Sequence, residues 1–216
     1  MPLSQNQTPV NFQSVAAGVV TSPGGQFGER GISQLQGKYY TLARDGRVFL
    51  GSTAVAGVAV PASTTTTATF GLWNPAGSGV NIVMVKASLG YVLGATSATA
   101  ICYVFQANMG SAIGTAAPFS AFTATTPLNA LVGSGRTSQV KLTVSSGVMT
   151  AAGAIYRYSG MSHGVPITST AAFAPVMTED FDGTFIIPPG VFVHQASSTA
   201  TDNTYGITWM WAELPI

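Results

Sequence analysis

The chain has 216 residues, of which 46% are apolar and only 7% are charged, and its formal net charge is +1. Isolated globular domains carry about a quarter of their residues as charged types, because charge keeps protein surfaces hydrated and apart. The eight basic residues are dispersed along the chain, whereas nucleic-acid binding requires a concentrated basic face. The composition therefore excludes a nucleic-acid partner and favours a subunit whose surface is covered by other subunits.

The first 47 residues differ from the rest, being rich in Gln, Gly, Ser and Pro. Half of the basic residues lie here, at Arg30, Lys38, Arg44 and Arg47. The N-terminus has neither a basic leader nor an apolar block, so a signal peptide is not indicated and secretion is not expected. We predict an extended N-terminal arm over residues 1–47, ordered against a partner or within its own oligomer. A solvated tail is the alternative.

Residues 48–216 show the alternation of apolar and polar side chains that indicates half-buried strands. In residues 139–144, Val140, Leu142 and Val144 are expected to face inward and Gln139, Lys141 and Thr143 outward. Near the end of the chain a second set shares one face, namely Tyr205, Ile207, Trp209 and Trp211. The aromatic residues of this set are expected to pack in a core between two sheets. An exposed aromatic platform that binds sugars is the alternative.

Further β-rich runs cover residues 53–60, 67–73, 79–86, 98–107, 148–158, 182–187 and 190–197. Turn sequences separate them, such as the Pro-Pro-Gly of residues 188–190. Many short strands at intervals of about 8–12 residues are typical of a sandwich or jelly roll. We therefore predict an all-β fold, a jelly-roll-like β-sandwich over residues 48–216.

Residues 87–105 contain no charge and have to be tested as a membrane span. They include several Ser, Thr and Gly residues, whereas a spanning helix needs about 20 predominantly apolar ones. We predict two strands joined by a turn at residues 94–97, and no membrane partner. Cys102 is the single cysteine and is expected to be a small buried hydrophobic residue.

Residues suited to catalysis or metal binding are few. The only histidines are His163, expected in a loop, and His194, expected on a strand beside Phe192; both are interpreted as ordinary polar residues. No carboxylate lies between Asp45 and Glu179, although a metal site of jelly-roll type needs about three converging ligands. The G-x-S-x-G motif of nucleophilic serines is also missing. We therefore predict no catalytic, cofactor-binding or metal site, and no enzyme.

The remaining acids leave two alternatives open. Glu179, Asp180 and Asp182 precede a predicted strand, where a solvated loop or a cation site such as a calcium site is expected. Paired carboxylates for glycoside hydrolysis would have to come from these residues with Asp202 or Glu213.

Two segments carry a resemblance to a known class of proteins. Residues 181–193 (FDGTFIIPPGVFV) and 205–215 (YGITWMWAELP) resemble the closing strands of jelly-roll proteins in tailed-bacteriophage virions. Residues 45–52 (DGRVFLGS) are similar to the beginning of such a domain. The resemblance implies a virion structural protein, in particular a head decoration (cement) protein. Such a protein would be made in the host cytoplasm and would form homotrimers on the capsid surface. Its partners would be other copies of itself and the major capsid protein.

The basic residues of the arm are then candidates for contact with an acidic capsid surface. These are Arg30, Lys38, Arg44 and Arg47. Three alternatives stay open: a tail-fibre or receptor-binding module that contacts host glycans through loops such as residues 107–137, a virion glycan hydrolase, and a secreted lectin or adhesin. Copy number separates the first from a decoration protein, because decoration requires copies comparable to those of the coat protein.

Overall fold

The structure is a computed structural model that describes residues 37–93, 101–109, 124–149, 151–163, 176–199 and 203–216. The chain divides into two units, Met1–Tyr40 and Thr41–Ile216, and the fold described below is that of the second. Its described residues form a helix of one turn, α1, and fourteen strands. The elements are α1 (Tyr40–Arg44), β1 (Val48–Ser52), β2 (Val58–Ala59), β3 (Thr67–Ala68), β4 (Gly71–Asn74), β5 (Val80–Leu93), β6 (Ile101–Met109), β7 (Ala124–Thr125), β8 (Leu128–Asn129), β9 (Lys141–Thr143), β10 (Gly147–Val148), β11 (Ala154–His163), β12 (Val176–Ile187), β13 (Val191–Ser197) and β14 (Thr204–Pro215).

The eight strands of four or more residues pair in a nested order. β1 pairs with β14, β4 with β13, β5 with β12 and β6 with β11, all antiparallel. One sheet has the order β12-β5-β14-β1-β8, with β2 also on β14, and the other has the order β11-β6-β13-β4-β9-β7. Pairing of first with last and second with second-to-last, distributed over two sheets, is the jelly-roll arrangement. The predicted all-β, jelly-roll-like sandwich is confirmed.

The core lies between the two sheets and is dominated by aromatic side chains. Tyr205, Ile207, Trp209 and Trp211 are all fully buried on one face of β14, as predicted. The Trp209 ring lies edge-on to Phe70, with 5.1 Å between the ring centroids. Its centroid also lies 5.5 Å from that of Phe105, which belongs to the other sheet. Trp209 and Trp211 therefore belong to the core, and their interpretation as an exposed sugar platform is wrong.

The strand predicted from residues 139–144 is shorter than expected, because regular pairing covers only β9. Val140 and Leu142 are buried and Val144 packs against the core, as predicted. Thr143 was expected outside but is buried, and its hydroxyl donates to the Gly71 carbonyl at 3.2 Å. The buried hydroxyl is thereby satisfied, which removes most of the cost of burying it.

The described parts of the uncharged segment 87–105 are strands, as predicted, with β5 ending at Leu93 and β6 beginning at Ile101. The turn predicted at residues 94–97 lies outside the described residues. Among the described residues no helix is long and apolar enough to span a membrane. Cys102 is half-buried rather than fully buried. Strand alternation explains the difference, since its neighbours Ile101 and Tyr103 point into the core instead.

Several predicted strands have different bounds in the structure. The run 67–73 divides into β3 and β4, the run 148–158 divides between β10 and β11, and the run 79–86 is part of the longer β5. Of residues 53–60 only β2 is a strand. β12 begins at Val176 instead of residue 182 and contains a wide bulge between Asp180 and Phe185. Asp182 (φ 53°) and Gly183 (φ 81°) form this bulge in the left-handed region, which Gly adopts freely and Asp tolerates.

Candidate functional site

The four basic residues predicted to contact a partner have different surroundings. Arg30 lies outside the described residues. The Lys38 ammonium lies 5.4 Å from the centroid of the Tyr39 ring. The Arg44 side chain is 60% exposed at the end of α1, with its Nε 3.6 Å from a carboxylate oxygen of Asp45. An exposed ion pair at this distance contributes little to stability, so Arg44 keeps its charge available to a partner.

Arg47 is half-buried and is held to the sandwich through its backbone. Its carbonyl accepts a hydrogen bond from the amide of Glu213 at 2.8 Å. The buried carboxylate of Glu213 in turn accepts from the Ser138 hydroxyl, from the Gln139 amide at 3.0 Å and from the Trp211 indole at 3.3 Å. Glu213 is therefore a structural link between β14 and the segment before β9. Its hydrogen-bonding capacity is used within the fold.

Glu179 and its acidic neighbours belong to β12, so the prediction of a solvated loop or cation site is wrong. The carboxylate of Glu179 is buried and lies 2.8 Å from the Arg157 guanidinium. It also accepts from the Ser159 hydroxyl at 2.6 Å and from the Gly160 amide at 3.2 Å. Since Arg157 lies on β11 and Glu179 on β12, this ion pair links the edge strands of the two sheets.

The other acids do not complete a cluster with Glu179 in the described residues. Asp180 points away from it on the alternating strand and lies 3.7 Å from Lys86 at the surface. Asp202 lies outside the described residues. Nowhere in the described part of the chain do three His, Cys, Asp or Glu side chains lie together as a metal site would require.

Sequence reasoning missed a buried polar cluster on the outer face of the second sheet. It consists of Gln106, Asn108 and His194, which lie on the paired strands β6 and β13. The Gln106 amide donates to the carbonyls of Ser63 and Gly153, and the Asn108 amide donates to Ala151. These bonds hold two chain segments, near residues 63 and 151–153, over the outer face of the sheet. From the alternation of the strands alone, this face would be expected to be exposed to solvent.

His194 is fully buried in this cluster, so its interpretation as an ordinary polar residue is wrong. Within the described residues, neither ring nitrogen of His194 has a hydrogen-bond partner of good geometry, and nor does the Asn108 carbonyl oxygen. Burial lowers the pKa of His194 from 6.5 to about 4, partly offset by the backbone of Gln195. The imidazole is therefore neutral at pH 7. A Cβ on Gly153 would lie 2.6 Å from that Asn108 oxygen and 3.2 Å from His194 Nε2, so only glycine fits there.

His163 was predicted in a loop but is the last residue of β11. It pairs with Ile101 across the antiparallel ladder to β6. The strand therefore continues beyond residue 158, where the sequence prediction ended. The two histidines therefore lie on different strands of the same sheet. The structure does not bring them together with an acid in the described residues.

A groove of about 480 Å³ lies beside β2 and β3. It is lined by small apolar and hydroxyl side chains, among them Val60, Pro61, Thr65 and Thr69. The hydroxyls of Thr65 and Thr69 already donate to the backbone carbonyls of Ala62 and Ala59. The lining contains no ionisable side chain, so this groove offers neither an acid nor a base for catalysis.

Several exposed apolar side chains lie where the edge strands of the two sheets, β11 and β12, run side by side. We call them the open-edge surface, which consists of Ile155, Tyr156, Tyr158 and Val176. Tyr158 is 64% exposed and Tyr156 57% exposed, and the Tyr156 ring stacks on Phe185 of β12 at 5.0 Å between centroids. Exposed aromatic residues are enriched at protein interfaces. The sequence contained a signal for this surface in the Tyr-Arg-Tyr of residues 156–158, because alternate residues of a strand share a face.

Comparisons with protein-family models, with curated proteins and with solved structures found no match for this chain. Fold topology and surface chemistry therefore carry the functional proposal. The described residues combine a jelly roll, a surface poor in charge and an exposed aromatic edge.

Proposed function

We propose that this protein is a non-enzymatic structural subunit of a virus particle, a decoration protein that binds copies of itself and the major capsid protein on a tailed-phage head. The observation that carries the proposal is the open-edge surface, an apolar and aromatic strip on a chain with only 7% charged residues. A surface of this kind has little solubility on its own and becomes stable when a neighbouring subunit covers it.

The buried chemistry of the sandwich supports a structural role as well. The carboxylates of Glu179 and Glu213 are occupied by hydrogen bonds and an ion pair that join strands. His194, whose pKa is lowered by burial, lies beneath covering segments instead of in a cleft. Enzymes place perturbed groups where substrate can reach them.

The basic residues of the N-terminal region supply the proposed contact with the capsid. Anionic capsid surfaces attract exposed cations over a distance of about 10 Å at ordinary ionic strength, and charge at the rim of an interface chiefly accelerates association. We expect a full-length chain with four substitutions to Gln to bind heads roughly tenfold more weakly or worse, because each rim charge contributes up to about 1 kcal/mol. The substituted residues are Arg30, Lys38, Arg44 and Arg47.

The measurement is cosedimentation of the variant with heads of the virus that encodes the chain, stripped of this protein. A matched control keeps every charge and replaces four uncharged residues of the same region with Ala, namely Gln13, Gln26, Gln34 and Gln36. The control is expected to bind as the parent chain does. Equal binding by the Gln-substituted chain and its control would show that these cations make no capsid contact.

A tail-fibre or receptor-binding module is the second candidate, and the exposed tyrosines favour it because aromatic faces also stack on sugar rings. Tyr156 and Tyr158 would be the contact residues in that case. Protein stoichiometry in purified virions separates the two functions. A decoration protein is present in numbers comparable to those of the coat protein, and a tail module in a few copies per particle.

A further inference from the structure

A two-stranded ribbon lies over the outer face of the second sheet. β3 and β10 pair with each other and, in the described residues, with no strand of the two large sheets. We call this ribbon and its flanking segments the cover, which comprises residues 61–69, 146–149 and 151–153. Its side chains Ala68 and Met149 pack on the buried ring of Phe192. Beside this apolar contact, the cover lies on the polar cluster of Gln106, Asn108 and His194.

The cover fixes the orientation of both amide groups in the polar cluster. The amide nitrogen of Gln106 donates to the carbonyls of Ser63 and Gly153 at 2.7 and 2.8 Å. The amide nitrogen of Asn108 donates to the Ala151 carbonyl at 3.0 Å. Because a carbonyl only accepts hydrogen bonds, neither amide can be turned around without losing these contacts. The oxygens of the two amides are therefore directed away from their carbonyl partners.

Four polar atoms of the cluster have no hydrogen-bond partner of good geometry among the described residues. They are Oε1 of Gln106, Oδ1 of Asn108 and the two ring nitrogens of His194. The three residues are at most 3% exposed, so bulk solvent does not reach them. Buried polar groups in folded proteins are almost always hydrogen-bonded. Four unpartnered atoms in one cluster therefore indicate a bound polar ligand.

Two of these atoms face the same small space beside Gly153. An ideal Cβ on Gly153 would lie 2.6 Å from Asn108 Oδ1, 3.2 Å from His194 Nε2 and 3.0 Å from a side-chain carbon of Gln106. The φ angle of Gly153 is not positive, so the backbone conformation does not require glycine here. The space does require it, because any side chain would occupy the region that the two unpartnered atoms face.

We propose that this space binds an internal water molecule, which joins the cover to the second sheet. A water donates two hydrogen bonds and accepts two, whereas a neutral imidazole supplies one donor and one acceptor. One water can therefore donate to Asn108 Oδ1 and Gln106 Oε1 and accept from His194. Internal waters make about three hydrogen bonds to groups that are otherwise unsatisfied. The inference concerns how the sandwich is held together and does not depend on the proposed function.

A metal ion is the other ligand that would satisfy unpaired acceptors, and the surroundings of the cluster disfavour it. β4, β6, β13 and the described residues of the cover contain no carboxylate. Burial of an uncompensated charge is far more costly than burial of a neutral polar molecule. A neutral ligand that both donates and accepts therefore fits the cluster better than a cation does.

A crystal structure of the full-length parent chain, at a resolution that shows ordered water, tests the proposal directly. We expect a density peak within about 3.2 Å of both Asn108 Oδ1 and His194 Nε2, the range of hydrogen bonds. The absence of a peak, or a direct contact between these two side chains, overturns the proposal. A peak at about 2.0–2.2 Å from its neighbours, the length of metal–ligand bonds, also overturns it and identifies an ion.

Magnetic relaxation dispersion of the solvent nuclei tests the same site in solution, because it counts the water molecules that stay bound while the protein tumbles. The double variant Asn108→Leu and His194→Phe replaces the facing atoms with apolar groups of similar shape, and an apolar space stays dry. We expect it to lose one long-lived water per chain. Asn81→Leu is the matched control, because it removes a half-buried amide of β5 outside the cluster, and it should retain the parental count.

Far-UV spectra of both variants are recorded first to establish that they fold. If a folded double variant has the same number of long-lived waters as the parent chain, the proposal is wrong. The crystal structure needs no variant, so it decides between water and its alternatives even where the double variant does not fold.

Discussion

Substitution of Trp209 by Ala is expected to lower the free energy of unfolding by about 3–5 kcal/mol, the largest effect of any single change considered. The indole is fully buried at the centre of β14 and lies edge-on to Phe70 and within 5.5 Å of Phe105, ring centroid to ring centroid. Phe105 belongs to the opposite sheet, so the indole fills the space between the layers. Its removal leaves a cavity in a close-packed core that can collapse only partly.

The neighbouring residue supplies the control for this prediction. Met210 lies on the opposite face of β14 and is only half-buried, so Met210→Ala should cost less than about 1.5 kcal/mol, because it removes contacts at a partly solvated face. Urea denaturation followed by far-UV circular dichroism measures both variants. Equal losses in the two variants would contradict the placement of Trp209 between the sheets.

The stability of the protein is expected to fall as the pH is lowered from 6.5 towards 4, because of His194. Burial holds the pKa of this imidazole at about 4 in the folded chain, whereas an unfolded histidine titrates near 6.5. Between these values the unfolded chain binds a proton that the folded chain does not. The free energy of unfolding should therefore decrease by about 1.4 kcal/mol for each unit by which the pH is lowered in this window. Above pH 7, His194 should contribute no further pH dependence.

His194→Gln isolates this contribution, because the amide keeps polar atoms in the cluster and does not titrate. The variant's unfolding free energy should depend less on pH between 7 and 5 than that of the parent chain. Met210→Ala removes no titratable group, so it serves as the control and should retain the parental slope. If the slopes of the parent and His194→Gln coincide, His194 is not buried as a neutral group.

Alternation in the sequence was sufficient to predict the fold where one face of a strand is buried and the other is not. β14 is the clearest instance, because Tyr205, Ile207, Trp209 and Trp211 repeat with the period of a strand. The same reasoning correctly predicted strands at residues 87–93 and 101–105, although the composition of this segment resembles that of an apolar helix. In both segments the local pattern and the tertiary environment agree.

Alternation failed where distant segments cover the second face of a sheet. Gln106 and His194 read as solvent-facing positions, yet they are buried because the segments near residues 63 and 153 lie over them. These contacts join residues more than 40 positions apart. No local pattern contains that information, and the burial of a polar residue depends on the whole fold.

The start of β12 was missed for a related reason. Glu179 is charged, and a charge normally marks a solvated approach to a strand. The partner that allows its burial, Arg157, lies 22 residues earlier on a different sheet. A buried carboxylate becomes tolerable when it is paired and hydrogen-bonded, so the prediction required knowledge of the pairing. For the open-edge surface the sequence offered the paired tyrosines of residues 156–158, but their exposure could not be predicted, because only the strand order shows that β11 and β12 are both edges.

The central claim is that this charge-poor jelly roll is built to be covered by copies of itself. The molar mass of the purified full-length chain in solution, measured by multi-angle light scattering over a range of concentrations, tests it most directly. We predict a value close to three times the chain mass of 22.1 kDa. A value of one chain mass at every concentration, with the tyrosines of the open edge accessible to solvent, would contradict the claim.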